Sequence, residues 1–243
     1  MVYVNRFWEL DFLRGLAIIM MVIFHLIFDL YYFGGYGFDV NSGFWLVFAR
    51  VTALIFLTLI GICLTISYNK NSDKIWAKNL KRGLKVFGFG LIITGITWFF
   101  FKESFIVFGI LHFIGISVIL SPIFLRFNRL NLLLAVIFII FGFYLYSLSF
   151  GFPWFVWLGL QPQTFYTFDY FPIFPWFGVV LFGMFLGKTL YTKNKRRFRL
   201  KDVSNRPMRL FGFLARHSLV IYLIHQPIII FVLYTLHIIT LPI

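Results

Sequence analysis

Residues 11–33 read DFLRGLAIIMMVIFHLIFDLYYF. As a helix at 1.5 Å per residue this run is about 34 Å long, enough to cross the ~30 Å hydrocarbon core of a bilayer. It is apolar on three sides. Its polar residues fall in register: Asp11, Arg14, Ile18, Val22, His25 and Asp29 follow one another at intervals of three or four, which places them on one face of a helix. A stripe of ionisable groups facing lipid is strongly disfavoured, so this face is expected to point into a helix bundle.

Six further runs of the same kind follow. The expected spans are 11–33, 43–68, 82–101, 105–126, 131–149, 172–192 and 218–240. The runs are continuously apolar and not alternating, which speaks against a β-barrel. Composition agrees. Of 243 residues, 61% are apolar, 12% are charged and 36 are Phe. There is too little polar sequence to coat a soluble domain of this length. The expected fold is therefore all-α, a polytopic transmembrane bundle of about seven spans forming a single domain over 1–243. The first run carries Glu9, Asp11, Arg14, His25 and Asp29 with no small-residue cleavage pattern after it, and so reads as a retained helix, not a leader peptide.

The net charge is +14. The basic residues gather in alternate breaks: the start of the chain, 69–85, 126–129 and 187–217. Only Arg50 and Lys102 fall elsewhere. Under the positive-inside rule this puts the N-terminus in the cytoplasm and the C-terminus outside. These loops carry no nucleic-acid readout module, so the expected partners are anionic lipid head groups or a soluble anionic cosubstrate, and no nucleic acid. Cys63 is the sole cysteine, which excludes an intrachain disulfide. No His pair has short ligand spacing, so no metal is expected. Segment 150–171 is aromatic, with two prolines and one charge. It reads as an interfacial or re-entrant loop.

Depth sharpens the list of candidate residues. His25 lies about eight residues, or roughly 12 Å, below the outer end of its helix. Arg50 and His112 each lie about seven residues into helices that enter from the same side. Asp29 stands one turn above His25 and is expected to orient it. Arg50 is expected to pair with Asp29 or to meet a developing negative charge, and Arg50 or His112 would stabilise an oxyanion. Gly61 and Thr65, with Gly83, Gly90, Thr94 and Thr97, read as close-packing positions between helices, the alternative being that some of them line a narrow tunnel for a pantetheine-like arm. Asp169, just before Pro172 and Pro175, is expected to cap the sixth span. Pro227 is expected to kink the last helix, with His225 and Gln226 just before it.

Ten residues separate Arg14 from His25 within ELDFLRGLAIIMMVIFHL (9–26). This spacing resembles the Arg-x10-His signature of the large membrane acyltransferase superfamily. GILHFIGIS (109–117), DYFPIFPWFGVVLFGMFLGK (169–188) and LARHSLVIYLIHQP (214–227) resemble bacterial and archaeal proteins related to the catalytic domain of heparan-α-glucosaminide N-acetyltransferase. The resemblance implies an integral enzyme of the cytoplasmic membrane. Such an enzyme moves an acetyl or short acyl group from cytoplasmic acetyl-CoA, or another acyl-CoA, to an amino or hydroxyl group. The acceptor expected here is a glycan or lipid-linked sugar at the outer side. The resemblance nominates His25 as base and Arg14 as a donor contact, and His225 and Gln226 are read as further donor contacts. Two rival readings are a proton-coupled transporter or flippase of an anionic solute or lipid, with Arg14, His25, Asp29 and Arg50 as its proton path, and a non-catalytic scaffold. Seven helices suit either a complete bundle or half of a homodimer.

Overall fold

A computed structural model describes residues 7–70, 74–192, 195–203 and 205–241. Its regular secondary structure is almost wholly helical: α1 (Trp8–Tyr32), α2 (Gly43–Lys70), α3 (Ile75–Phe100), α4 (Ile110–Phe124), α5 (Arg129–Tyr146), α6 (Ile173–Leu190), α7 (Arg206–Arg216) and α8 (Ser218–Thr235). The strands among the described residues are β1 (Tyr191–Thr192) and β2 (Lys195–Arg196), an antiparallel pair. Six helices are long and apolar enough to cross a membrane: α1, α2, α3, α5, α6 and α8. The protein is an all-α, polytopic integral membrane bundle.

The fourth expected span is shorter than its sequence suggested. Residues 105–109 do not join α4, because their backbone groups are engaged elsewhere. Phe168 N–H donates to Ser104 O at 3.1 Å and Phe171 N–H to Phe108 O at 3.0 Å. Ile106 is held from α3, where Thr97 Oγ1 accepts its N–H at 3.1 Å and Thr94 Oγ1 donates to its carbonyl at 2.6 Å. Irregular backbone within a membrane bundle survives only where protein or water satisfies it. The two α3 threonines and the 167–171 segment do so here.

Contacts divide the chain into two compact units, Met1–Phe56 with Leu200–Ile243, and Leu57–Arg199. In the first, α1 packs on α7 and α8. The predicted stripe of α1 is its inner face: Ile18 and Asp29 are buried, whereas Leu13, Ile19, Ile23 and Leu26 are exposed on the opposite side. Trp8 Nε1 donates to Lys201 O at 3.2 Å, and Thr240 N–H donates to Phe33 O at 3.3 Å. These bonds tie both ends of α1 to the C-terminal part of the chain.

In the second unit, α3 packs on α4 and α5 on α6. The C-terminal half of α2 lies against α6 through small residues. A Cβ added at Gly61 would stand 2.2 Å from Val180 O, one at Gly183 2.3 Å from Thr58 O, and one at Gly187 2.8 Å from Thr65 Cβ. Between α3 and α4, an added Cβ at Gly83 would meet Gly115 O at 2.6 Å. Backbones that touch in this way gain dispersion contacts, which drive association where lipid offers no hydrophobic gain. Asn79 Nδ2, buried in α3, donates to Ser121 Oγ of α4 at 2.8 Å. Pro172 is the N-cap of α6, and Phe174 leaves helical geometry (φ −95°, ψ 126°) before a cis bond to Pro175.

One segment differs from its expected form. The break 187–217, expected as a basic loop, contains the β1–β2 pair and the amphipathic helix α7. Its apolar residues are too few to register as a span, and its arginines mask their helical spacing. Segment 150–171 is a loop, as expected, with a short 3-10 turn at Val156–Leu158 whose Val156 carbonyl accepts from Tyr170 OH at 2.7 Å.

Replacing Gly61 by Ala sets a methyl group against the α6 backbone and is expected to cost about 1–3 kcal/mol. Gly88→Ala, where nothing lies within 4 Å of the new Cβ, is expected to be neutral or to gain up to ~1 kcal/mol from helix propensity. Thermal unfolding of the two variants in detergent checks this contrast.

Candidate active site

The polar stripe of α1 meets α8. His25 Nδ1 lies 2.8 Å from Met21 O, one turn back on α1. A carbonyl oxygen only accepts, so Nδ1 of the neutral ring carries the hydrogen and Nε2 keeps its lone pair. His225, buried on α8, stands edge-on to His25 with ring centroids 4.7 Å apart and planes at 82°. Its Nδ1 lies 2.7 Å from Tyr222 O and 3.2 Å from Ile221 O. The same reasoning makes His225 Nε2 a bare acceptor. Two imidazoles from two helices thus sit together in the same tautomer.

One turn along α1, Asp29 is fully buried at 0% exposure. Gln226 Nε2 donates to Asp29 Oδ1 at 2.6 Å. Asp29 Oδ2, Gln226 Oε1 and His225 Nε2 are buried and have no hydrogen-bond partner. With Asp29 as the carboxylate, all three are acceptors. Buried polar groups are rarely left unpaired, and each unpaired one costs on the order of 1–3 kcal/mol. What this cluster lacks is hydrogen-bond donors.

The other candidates fall as follows. Arg14 is half-buried on α1, on the same face as His25 and about 16 Å from it along the axis. Its neighbour Gly15 packs against Phe211 of α7, where an added Cβ would stand 2.8 Å from the ring. Arg50 is exposed on α2. The partner of the Asp29 carboxylate is Gln226 and not Arg50, and the group that orients His25 is the Met21 carbonyl and not Asp29. The sequence could not identify these partners. Spacing says which residues share a face but not which helix that face meets.

His112 sits in the second unit. Gly109 N–H donates to its Nδ1 at 3.2 Å, so Nε2 carries the hydrogen and faces Thr94 Oγ1 at 3.3 Å. Phe108 stacks on the ring, Phe87 meets it edge-on, and Gly90 makes room for it. With both nitrogens engaged, His112 caps the start of α4. Asp169 joins it there, accepting from Ile110 N–H through Oδ2 at 2.8 Å. It therefore caps α4 and not α6. Gly109 is needed at this point, since an added Cβ would meet Asp169 Oδ2 at 2.3 Å. Among the described residues no group of three His, Cys, Asp or Glu side chains is placed to hold a metal ion.

The model of the heparan-alpha-glucosaminide N-acetyltransferase catalytic family matches residues 6–227. The chain belongs to this family. The match runs from before α1 to Pro227 on α8, so His25, Asp29, His225 and Gln226 all lie within it. Membership places the protein among membrane acyltransferases. No curated protein and no solved structure gives a significant match.

Burial raises the Asp169 carboxyl from 3.8 to about 6, with the Ile110 N–H bond opposing the shift. Between about pH 4 and 6 the folded form holds a proton that the unfolded form has lost. Stability from this group is therefore full below pH 4 and is lost as the pH rises through 6. Asp169→Asn keeps an acceptor for Ile110 N–H and removes the titration. Relative to it, the wild type is expected to lose on the order of 1–2 kcal/mol between pH 4 and pH 7, as read by thermal melts across that range.

Proposed function

We propose that the protein transfers an acetyl or short acyl group from acyl-CoA on the cytoplasmic side to an amino or hydroxyl group of a glycan or lipid-linked acceptor on the other side. His25 is the base. The observation that carries this reading is the His25 tautomer: the Met21 carbonyl holds the Nδ1 hydrogen, so the Nε2 lone pair is presented beside His225 in a buried polar cluster. Nε2 takes the proton of the acceptor O–H or N–H as that atom attacks the thioester carbonyl. The carbon–sulfur bond breaks, and the proton held by His25 returns to the departing thiolate. A buried, partly apolar setting suits a base that must stay neutral until the acceptor arrives.

The orphan acceptors Asp29 Oδ2, Gln226 Oε1 and His225 Nε2 favour an occupant that brings hydrogens. The nucleophile does so, and so do the amide N–H groups of a pantetheine arm. Arg14 lies about three turns nearer the start of α1, on the same face, and would hold the anionic end of the donor through charge-assisted hydrogen bonds. Arg50 remains a candidate for charge on the reacting carbonyl. The sidedness rests on the basic breaks and counts α4 as a crossing, which makes seven spans and leaves the C-terminus outside. We place the protein in the cytoplasmic membrane of a cell, and a homodimer is compatible with this scheme.

Purified His25→Ala is expected to bind acyl-CoA as the wild type does and to lose transfer by about 10²–10⁴-fold. Wild-type transfer rates in this variant would remove His25 from the chemistry. Coupled proton transport without CoA binding would favour the transporter reading. Arg14→Ala is expected to weaken acyl-CoA binding about ten- to hundredfold with little change in the rate at saturating donor. Calorimetry on the detergent-solubilised protein measures the first, and single-turnover transfer the second.

A further inference from the structure

Helix α7 presents an outward face of mixed chemistry that the acyl-transfer scheme does not use. Its inner face is settled. Gly212 and Ala215 are buried, and Phe211 packs on α1, edge-on to Phe12 at 4.6 Å and closed over Gly15. Its outer face carries Arg206, Arg209 and Arg216, all exposed. Leu210 and Phe213 lie among them, 58% and 50% exposed. The start of the helix is fixed by Asn205, whose side chain accepts from Met208 N–H at 3.0 Å, with Pro207 in the first turn. One residue, His217, separates its end from the membrane-spanning α8.

A purely aqueous face has no use for an exposed Leu and Phe, and a lipid-immersed face does not tolerate three arginines. Both sets fit the head-group boundary, where apolar side chains dip toward the acyl chains and arginines reach the phosphates. We infer that α7 lies in the plane of the bilayer and that its outer face docks on the phosphates of an anionic lipid leaflet. A soluble anion would satisfy the arginines but leave Leu210 and Phe213 in water. The junction with α8 brings the chain to the membrane at this point in any case. Because the other side of α7 closes over Gly15, seating it in the leaflet also braces the turn of α1 that bears Arg14.

The test uses the whole chain in nanodiscs. A Cys63→Ser, Leu210→Cys protein carries an environment-sensitive dye at position 210. The discs contain phosphatidylcholine alone or with a third of phosphatidylglycerol. A blue-shifted emission quenched by brominated acyl chains is expected, stronger in the anionic discs. Native mass spectrometry of the wild type is expected to show retained phosphatidylglycerol. Its preference over phosphatidylcholine should fall about fivefold for each arginine replaced by Gln, and on the order of a hundredfold for all three. Water-like, unquenched emission overturns the proposal, as does a lipid preference unchanged in the triple variant. Displacement of the bound lipid by free coenzyme A also overturns it, by assigning the face to the soluble donor. Where the triple variant does not give the wild-type melting temperature, Arg209→Gln alone repeats the measurement and is read by the same criteria.

Discussion

Inside a bilayer no water is available to pair a stray N–H or C=O, and every polar group must find its partner within the protein. Each unusual feature of this chain follows from that constraint. The 104–109 connector is non-helical at the start of an expected span, and it persists because Thr94, Thr97 and the 167–171 segment take up its backbone groups. Asn79 and Ser121 pair across two helices for the same reason. Asn131 Nδ2 of α5 reaches back across the α4–α5 connection, donating to the Phe124 and Phe127 carbonyls at 3.0 Å each. Between α1 and α8, by contrast, three buried atoms without a partner gather at one level: Asp29 Oδ2, Gln226 Oε1 and His225 Nε2.

The helices were legible because length and hydropathy decide them. A run of twenty apolar residues has few alternatives to a spanning helix, and the observed ends agree with the expected ones to within a few residues for α1, α2 and α6. The orientation of α1 was legible as well, because four ionisable side chains at helical spacing can only face inward. Partners across helices were not. Asp29 has Arg50 as the obvious electrostatic match in sequence, yet it takes the amide of Gln226, nearly two hundred residues away. A buried carboxylate gains from any donor that arrives without its own large desolvation cost, and an amide arrives more cheaply than a guanidinium. Nothing in local spacing reports that α8 packs on α1. Helix α7 was hidden for a different reason: eleven residues with three arginines read as loop, because the pattern is divided between a protein-facing side and an outward-facing side.

The three membrane histidines show how far residue type alone misleads. His25, His112 and His225 are alike in sequence terms, each set among apolar neighbours. Their hydrogen bonds separate them. His112 receives an N–H at Nδ1 and faces a hydroxyl with Nε2, so both sites are spent on holding the start of α4. His25 and His225 each use Nδ1 toward a carbonyl of their own helix, one turn back. This local bond fixes the ring and leaves Nε2 unspent, which is the state a base requires before its substrate arrives. Helix geometry supplies the bond without a second helix, so a histidine with a backbone-anchored Nδ1 needs only one close neighbour to become a reactive site. For the reaction proposed here that neighbour is His225 of α8, and the Asp29–Gln226 bond one turn along joins α1 to α8 at the same level.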